Sequence, residues 1–535
     1  MQYRSDENFV YLIDTPFSKK EDMKQYLSGV WVSNKKFKGF RFPKNVNCMR
    51  ELVRYFPELR TNEEFVRDGK MLADEVDYWR DKKEQLMFAD LRLREYQNKD
   101  AYYLKERGSC LVLNEPRTGK TPTMITVLKA LGTKRNLVIC PSSLVLNWAK
   151  EFKQWYPEIK VYPITGNKNK RIQIYADCRA TRYTNTVIII SKDTWKLDEA
   201  LHELTFDTAI VDEAHFLRNW KSKQSEAIFK IKANYRYPLT GTPSVKHGSD
   251  VYGLLHFIDP IRYSSYWQFT ERYWEIQDNG WGKEIANAKR AREKELLSLM
   301  EINSVQRKRQ DVMKWLPKAQ HQTIPVQLDG KQLKLYNQML DTFMADDEEI
   351  EHEIDTMNKL SQLMRLRQLN LDPRLLGFQE VGAKTTALMD FAEGMNEPFV
   401  VMSMLSSYFD IVKPELEKLG KKVEVIDGGV TKSNRQRIVE KFQRGDIDIL
   451  LANIIAAGTG LTLDRSDTII FLDKSFNPAD NEQAQDRIVP TTETRYHPIN
   501  IISFIAQGTI DERVNEILDR KEDLTKIINK GELVK

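Results

Sequence analysis

A chain of 535 residues is too long for one ordinary hydrophobic core, so two or three domains are expected. Hydrophobic residues make up 41% and charged residues 30%, and the longest apolar runs, such as "NTVIIIS" and "SDTIIFL", are strand-sized, which excludes a membrane-spanning helix. Lysine plus arginine exceed aspartate plus glutamate by only 82 to 77, so overall charge neither requires nor excludes nucleic acid and local patches must decide.

Residues 1–88 carry no chemical motif. The stretch "WVSNKKFKGFRFPKNVNCMRELVRYFP" reads as a small β-rich piece followed by an amphipathic helix. Its Lys35, Lys36, Lys38, Arg41 and Lys44, interleaved with Trp31, Phe37 and Phe40, suit an accessory nucleic-acid module, and the same stretch suits a packing domain equally well. The opening "MQYRSDENFVYLID" lacks the basic start and apolar block of a secretion signal, so a cytoplasmic location is expected. The cysteines, Cys48, Cys110, Cys140 and Cys178, have neither CxxC nor His-paired spacing and read as reduced packing residues.

From 89 to 300, "NLVICPSS", "TVIIISK", "FDTAIVDEAH" and "YRYPLTGTP" are near-continuous apolar runs separated by helical stretches, as buried parallel strands are. A first doubly wound α/β lobe is expected there. Its key stretch is "LVLNEPRTGKTPT", where an apolar strand leads into Thr118-Gly119-Lys120-Thr121 and then a helical run. Backbone amides and a helix N-terminus would meet the β- and γ-phosphates of ATP, with Lys120 neutralising them and the Thr121 hydroxyl binding Mg²⁺. The pattern is imperfect. Asn114 stands where a glycine is expected, on account of its tolerance of unusual φ, and Arg117 occupies another small-residue place and is expected to point outward. Further on, "FDTAIVDEAH" is an apolar strand ending in Asp212 and Glu213. An aspartate at a strand's carboxyl end can hold Mg²⁺, and the adjacent glutamate can deprotonate the attacking water.

The aromatic segment "YSSYWQFTERYWEIQDNGWG" fits core packing better than base stacking, and the charge runs "AKRAREKELLSLM" and "ADDEEIEHEID" read as solvated helix faces. Residues 301–375 read as a helical connecting segment. From 376 to 535 "PFVVMS", "KVEVIDG", "DILLAN" and "DTIIFLD" repeat the parallel-strand pattern in a second lobe, which ends in a C-terminal helix.

Together with "LREYQ", "VICPSSLVLNW", "LTGTP" followed by "DVYGLLHFIDP", "VQRKRQDVMKWLP", "LMRLRQLNLDPRLL", "AAGTGL", "SFNPADNEQAQDR" and "GTIDERV", these stretches resemble, in order, the Swi/Snf-type DNA translocases of helicase superfamily two. The resemblance runs from about residue 91 to 527. It implies two RecA-like lobes with ATP and Mg²⁺ between them, and a double-stranded DNA translocase that moves without separating strands. It assigns Gln97 to the adenine, and Ser142, Ser143, Thr240, Thr242 and the loop at Gly458 to the DNA backbone. Gly458 and Arg487 are assigned to the nucleotide from the second lobe, Arg487 as the charge that reaches the γ-phosphate. The chain departs from the family at Pro490, where a second arginine is usual. The compact size points to a bacterial or bacteriophage source; replication, repair or recombination is the expected setting, with double-stranded DNA and replication or recombination proteins as the expected partners. The rivals are a strand-separating or branch-migrating helicase, and a DNA-binding module with little or no hydrolysis.

Overall fold

The computed structural model describes every residue except 16–18, 20–22, 25–26, 28, 34–37, 86–89, 181–184, 242–247, 279–282, 317, 343, 348–351, 356–358, 459–460, 491–497 and 520–535. The chain divides into two compact units, Met1–Val312 and Met313–Lys535. Each contains a parallel sheet with apolar clusters on both faces, so the two expected α/β lobes are present.

The first unit begins with a four-stranded antiparallel sheet, β1 (Gln2–Ser5), β2 (Phe9–Ile13), β3 (Val30–Ser33) and β4 (Lys38–Pro43), in the order β1-β2-β4-β3. Val10, Leu12, Phe40 and Phe42 project from it into a small core closed by Met49 and Leu52 of the helix Val46–Tyr55 and by Phe65 of the helix Glu63–Lys83. The basic residues proposed for nucleic acid are largely spoken for. Lys44 pairs with Asp68 at 3.2 Å, Arg41 lies 4.2 Å from the Phe9 ring and donates to Gln268, and Phe40 is core. Lys35, Lys36 and Phe37 lie outside the described residues.

The first parallel sheet has the order β10-β9-β6-β8-β7, from β6 (Arg135–Cys140), β7 (Lys160–Pro163), β8 (Thr186–Ser191), β9 (Thr205–Val211) and β10 (Lys232–Pro238). Beyond β10 lies β5 (Leu111–Val112), joined through a parallel bridge between Val112 and Leu239 and itself paired with β13 (Ser304–Val305). Residues of β6 and β8 alternate between two cores, Leu137, Ile139, Ile188 and Ile190 on one face and Val138, Cys140, Val187 and Ile189 on the other. This two-sided burial is why these strands read as unbroken apolar runs.

Tyr263, Phe269, Tyr273 and Trp274 join the first of those cores, so the described part of the aromatic segment packs. It continues into a hairpin of β11 (Trp274–Asp278) and β12 (Lys283–Ala288). The first charge run departs from expectation. In and beside the helix Glu293–Asn303, Arg292 and Glu295 are each only 4% exposed, because Glu295 meets Arg272 at 2.7 Å in a two-pronged pair while Arg292 meets Glu51. The Arg292–Glu51 pair, with Asn45 donating to Glu295 at 3.0 Å, clamps the N-terminal module to the lobe. Burial works against the Glu295 carboxylate, yet Arg272 holds it below the ordinary glutamate range.

In the second unit six parallel strands lie in the order β14-β21-β20-β17-β19-β18: β14 (Gln320–Val326), β17 (Phe399–Ser403), β18 (Val423–Ile426), β19 (Ile449–Asn453), β20 (Thr468–Phe471) and β21 (Asn500–Ala506). The edge strand β14 comes from the segment expected to be helical, and the helices Gly330–Thr342 and Lys359–Leu371 that follow pack with Ile510, Val514 and Ile517 in a core of their own. The acidic run, expected as a helix face, instead contributes to an antiparallel hairpin of β15 (Met344–Asp347) and β16 (His352–Asp355). Like charges three and four apart oppose a helix there. Among the described residues no helix is long and apolar enough to cross a membrane.

Candidate active site

The phosphate loop leaves the carboxyl end of β5. Its entry is laid against the segment after β13 by hydrogen bonds from Leu113 N to Val305 O (2.8 Å) and from Glu115 N to Arg307 O (3.0 Å). Two residues then take left-handed backbone, Arg117 at φ 68° and Gly119 at φ 79°. This corrects the expectation for Asn114, which is not among the residues with positive φ; the unusual conformation falls on Arg117, which is half-buried. Gly119 is required as glycine twice over. It has the left-handed φ, and a Cβ there would lie 2.0 Å from the Gln97 amide nitrogen. The helix Lys120–Leu131 starts immediately after it, which puts a helix N-terminus at the loop; Pro122 contributes no amide there, and Thr123 N donates to Gly119 O at 3.2 Å.

Lys120 Nζ donates to the carbonyls of Asn114 (2.8 Å) and Glu115 (3.2 Å), which arches the side chain back over the loop. Thr121, in the helix's first turn, is half-buried. The Thr118 carbonyl accepts from Gln97 Nε2 at 3.1 Å and from the Tyr96 hydroxyl at 2.8 Å, while Gln97 Oε1 accepts from Arg94 N at 2.8 Å. Gln97, assigned to adenine by resemblance, therefore touches the phosphate loop itself.

Asp212 follows β9 at the carboxyl end of the same sheet. It is buried, with Trp148 Nε1 donating to one oxygen at 2.8 Å and Glu213 N to the other at 2.9 Å. Burial first, and then the neighbouring Glu213 charge, push its pKa up to about 6, against the pull of the Trp148 hydrogen bond and the Lys120 charge. Hydrogen bonds of Leu239 and Thr240 link the acidic strand end to the strand that leads into the loop: Leu239 O accepts from Ala214 N, and Thr240 N donates to Val112 O. Glu213 takes a left-handed backbone (φ 50°), a strain that collects at functional positions, and its carboxylate lies 3.3 Å from His215 Nδ1. Beyond the turn, Ala214 N donates to Leu239 O at 2.8 Å.

The "LTGTP" stretch adjoins both. Thr240 is buried, and its amide donates to Val112 O at 3.0 Å, while a Cβ on Gly241 would lie 2.8 Å from Pro116 of the phosphate loop. The helix Gly248–Ile258 that follows presses on the turn after Glu213, since a Cβ on Gly253 would sit 2.0 Å from Leu217 O. Thr242 lies outside the described residues. Ser142 (exposed) and Ser143 (half-buried) follow β6, at the same carboxyl edge, just ahead of the helix Val145–Trp155 that carries Trp148.

The second unit brings its own pair together. Asn453, at the end of β19, caps the short turn Ile454–Ala457 and leads to Gly458. Arg487, past the helix Pro478–Gln485, donates to the carbonyls of Gly458 (2.8 Å), Gln483 (3.0 Å) and Leu461 (3.4 Å). Pro490 is buried where the chain leaves that helix.

The residues fit Mg²⁺ in one specific way. A buried carboxylate beside a second carboxylate, its proton affinity raised by both, is a poor place for uncompensated charge and a good one for a cation. Inspection of the sequence missed Trp148 as the partner of Asp212, and Asp100 and Arg307 behind Asn114. Each of these contacts joins residues that no spacing in the sequence links.

Residues 47–375 match the SNF2-related domain and residues 383–489 match the helicase conserved C-terminal domain. Among curated proteins, the putative ATP-dependent helicase/translocase YwqA of Bacillus subtilis is 28% identical over 464 residues, covering 80% of this chain and 48% of the relative. An uncharacterized ATP-dependent helicase of Mycoplasma genitalium is 26% identical over 454 residues, covering 81% and 42%. The chain therefore spans about half the length of the curated relatives it matches. The solved SWI2/SNF2 ATPase core of Sulfolobus solfataricus in complex with dsDNA is similar over 84% of this chain and 96% of that chain, at 22% identity and a TM-score of 0.40. The SNF2-related match alone extends over more than half of the residues, and the chain belongs to the SNF2-related family.

Proposed function

We propose that the chain is a DNA-stimulated ATPase that moves along double-stranded DNA. What supports the ATPase is that Lys120 follows β5 while Asp212 and Glu213 follow β9, strands linked through β10 by the parallel Val112–Leu239 bridge, so that all three come after carboxyl ends of parallel strands, where open-sheet α/β proteins bind their ligands. Lys120 releases its carbonyl partners for the β- and γ-phosphates, and the amides of Gly119 and the first helical turn bind the phosphate oxygens. Mg²⁺, held by the Thr121 hydroxyl and Asp212, would supply charge neutralisation at the transferring phosphoryl group. Trp148 holds Asp212 in its ionised form, and Glu213 orients the attacking water and accepts its proton. Gln97 reports adenine occupancy to the loop through the Thr118 carbonyl; the charge that the family resemblance assigns to Arg487 at the γ-phosphate would require it to release its carbonyl partners at Gly458, Leu461 and Gln483.

DNA would be gripped through its phosphates by Ser142, Ser143, Thr240, Thr242 and the loop at Gly458. The names of the relatives, a helicase/translocase and helicases, support a nucleic-acid track. Replication, repair or recombination in a bacterial or phage-infected cytoplasm is the setting that fits.

Phosphate release by Lys120→Ala and Glu213→Gln tests the site. Lys120→Ala is expected to abolish turnover, because it removes the cation facing the phosphoryl group. Glu213→Gln is expected to stop turnover while nucleotide affinity stays near wild type, since the carboxylate acts on the water. Wild-type turnover in either variant would overturn the assignment.

A further inference from the structure

Asn114 stands where phosphate loops usually begin with glycine, yet its backbone is not in the left-handed region that would call for one. Its side chain is the unusual feature. Asn114 and Asp100, the latter from the helix Glu95–Arg107, are each 1% exposed, and Asn114 Nδ2 donates to Asp100 Oδ2 at 2.9 Å. The other carboxylate oxygen accepts from Arg307 Nε at 2.8 Å, and the same Arg307 offers its carbonyl to Glu115 N at 3.0 Å. Arg309 N closes the circuit by donating to the Glu115 carboxylate at 2.7 Å. The carbonyls of Asn114 and Glu115 are the two that hold Lys120 Nζ.

We propose that Asp100 is a positioning residue of the phosphate loop: anchored by Arg307, it fixes Asn114, and so sets the backbone from which Lys120 reaches the phosphates. A glycine at 114 in other loops gives the chain freedom to take its path; here a buried side-chain bond holds that path instead. A buried hydrogen-bonded carboxylate is a rigid support, because breaking it strands charge in an apolar setting. The loop thereby tolerates Arg117, whose left-handed backbone would otherwise cost order in the turn. The anchor also reaches the N-terminal module, since Arg307 Nη1 lies 3.6 Å from Glu84 just past the helix Glu63–Lys83.

This rests on the reading that the Lys120 loop holds the nucleotide, so Lys120→Ala accompanies every measurement. The variants are Asn114→Gly, which restores the usual loop residue; Asn114→Ala, which cuts only the side-chain link; Asp100→Asn; and the Asp100→Asn/Asn114→Ala double variant. Steady-state phosphate release gives kcat and KM for ATP, and thermal melting gives Tm. Asn114→Gly and Asn114→Ala are each expected to lower kcat/KM by about tenfold to a hundredfold, as a small misplacement of a catalytic group does, with Tm lowered only modestly as one oxygen of the buried Asp100 carboxylate loses its partner. The double variant is expected to lose less than the two single losses combined, because Asp100 acts on the loop through Asn114. Wild-type or higher kcat/KM in Asn114→Gly would overturn the proposal, as would additive losses in the double variant or a fall in Tm with kcat/KM unmoved. Should Asp100→Asn fail to fold, Asn114→Ala, which leaves the Asp100–Arg307 pair in place, decides. Turnover surviving in Lys120→Ala would sink the underlying reading of the loop rather than the anchor.

Discussion

Trp148 and Asp212 show what one hydrogen bond can do to a reacting site. The indole N–H stabilises the charged carboxylate, opposing burial and the Glu213 charge, which together leave the pKa at about 6. Below that value the carboxyl is neutral and cannot help to hold a cation, so kcat/KM for ATP is expected to fall as the pH drops through about 6. For stability the sign is opposite. A carboxyl whose folded pKa is raised stabilises the nucleotide-free fold below its ordinary range, and that contribution is lost as the pH rises through about 6. Trp148→Phe removes a bond that favours the charged form, so its acid limb should move to higher pH. Parallel pH profiles of kcat/KM check this, and an unmoved limb would show that Asp212 does not set it.

At the scale of elements, the turn after the helix Pro478–Gln485 holds the chain's main departure from its family. Arg487 spends all three guanidinium nitrogens on carbonyls of its own unit, including that of Gly458, so it braces the Gly458 loop before any nucleotide is involved. Arg487→Ala is expected to cut DNA-stimulated turnover by at least about a hundredfold, the scale of a lost arginine finger. Arg487→Lys should not rescue it, since a single ammonium cannot reproduce the three-carbonyl grip. Pro490 is buried, so Pro490→Arg would force a charge inside and is expected to lower Tm without raising turnover. Phosphate release and melting of the three variants decide; a gain in Pro490→Arg would contradict the account. The parallel strands were legible in the sequence because burial on both faces leaves an unbroken apolar run, and the Lys120 and Asp212 elements because their chemistry is local in the chain. The anchor was not legible, since Asp100, Asn114 and Arg307 meet only in the fold and no spacing joins them. Nor were the buried Arg272–Glu295 pair and the acidic hairpin, where composition suggested solvated helix faces and tertiary pairing or like-charge repulsion decided otherwise.

For the whole molecule, a net charge of only +5 leaves DNA binding to local contacts. Those proposed are hydroxyls and backbone at the carboxyl edges of the sheets, which touch phosphates and carry no base information. Affinity for duplex is therefore expected to be insensitive to sequence; fluorescence anisotropy on unrelated duplexes checks this, and a strong preference for one sequence would contradict it. The central claim, a motor whose ATPase is switched on by double-stranded DNA, is tested most directly by phosphate release at saturating ATP, titrated with duplex, single-stranded and forked DNA and with RNA. Turnover should rise many-fold and saturate with duplex, rise far less with single strands or RNA, and vanish in Glu213→Gln. Turnover that is the same with and without duplex, or raised as much by RNA as by duplex, would contradict it.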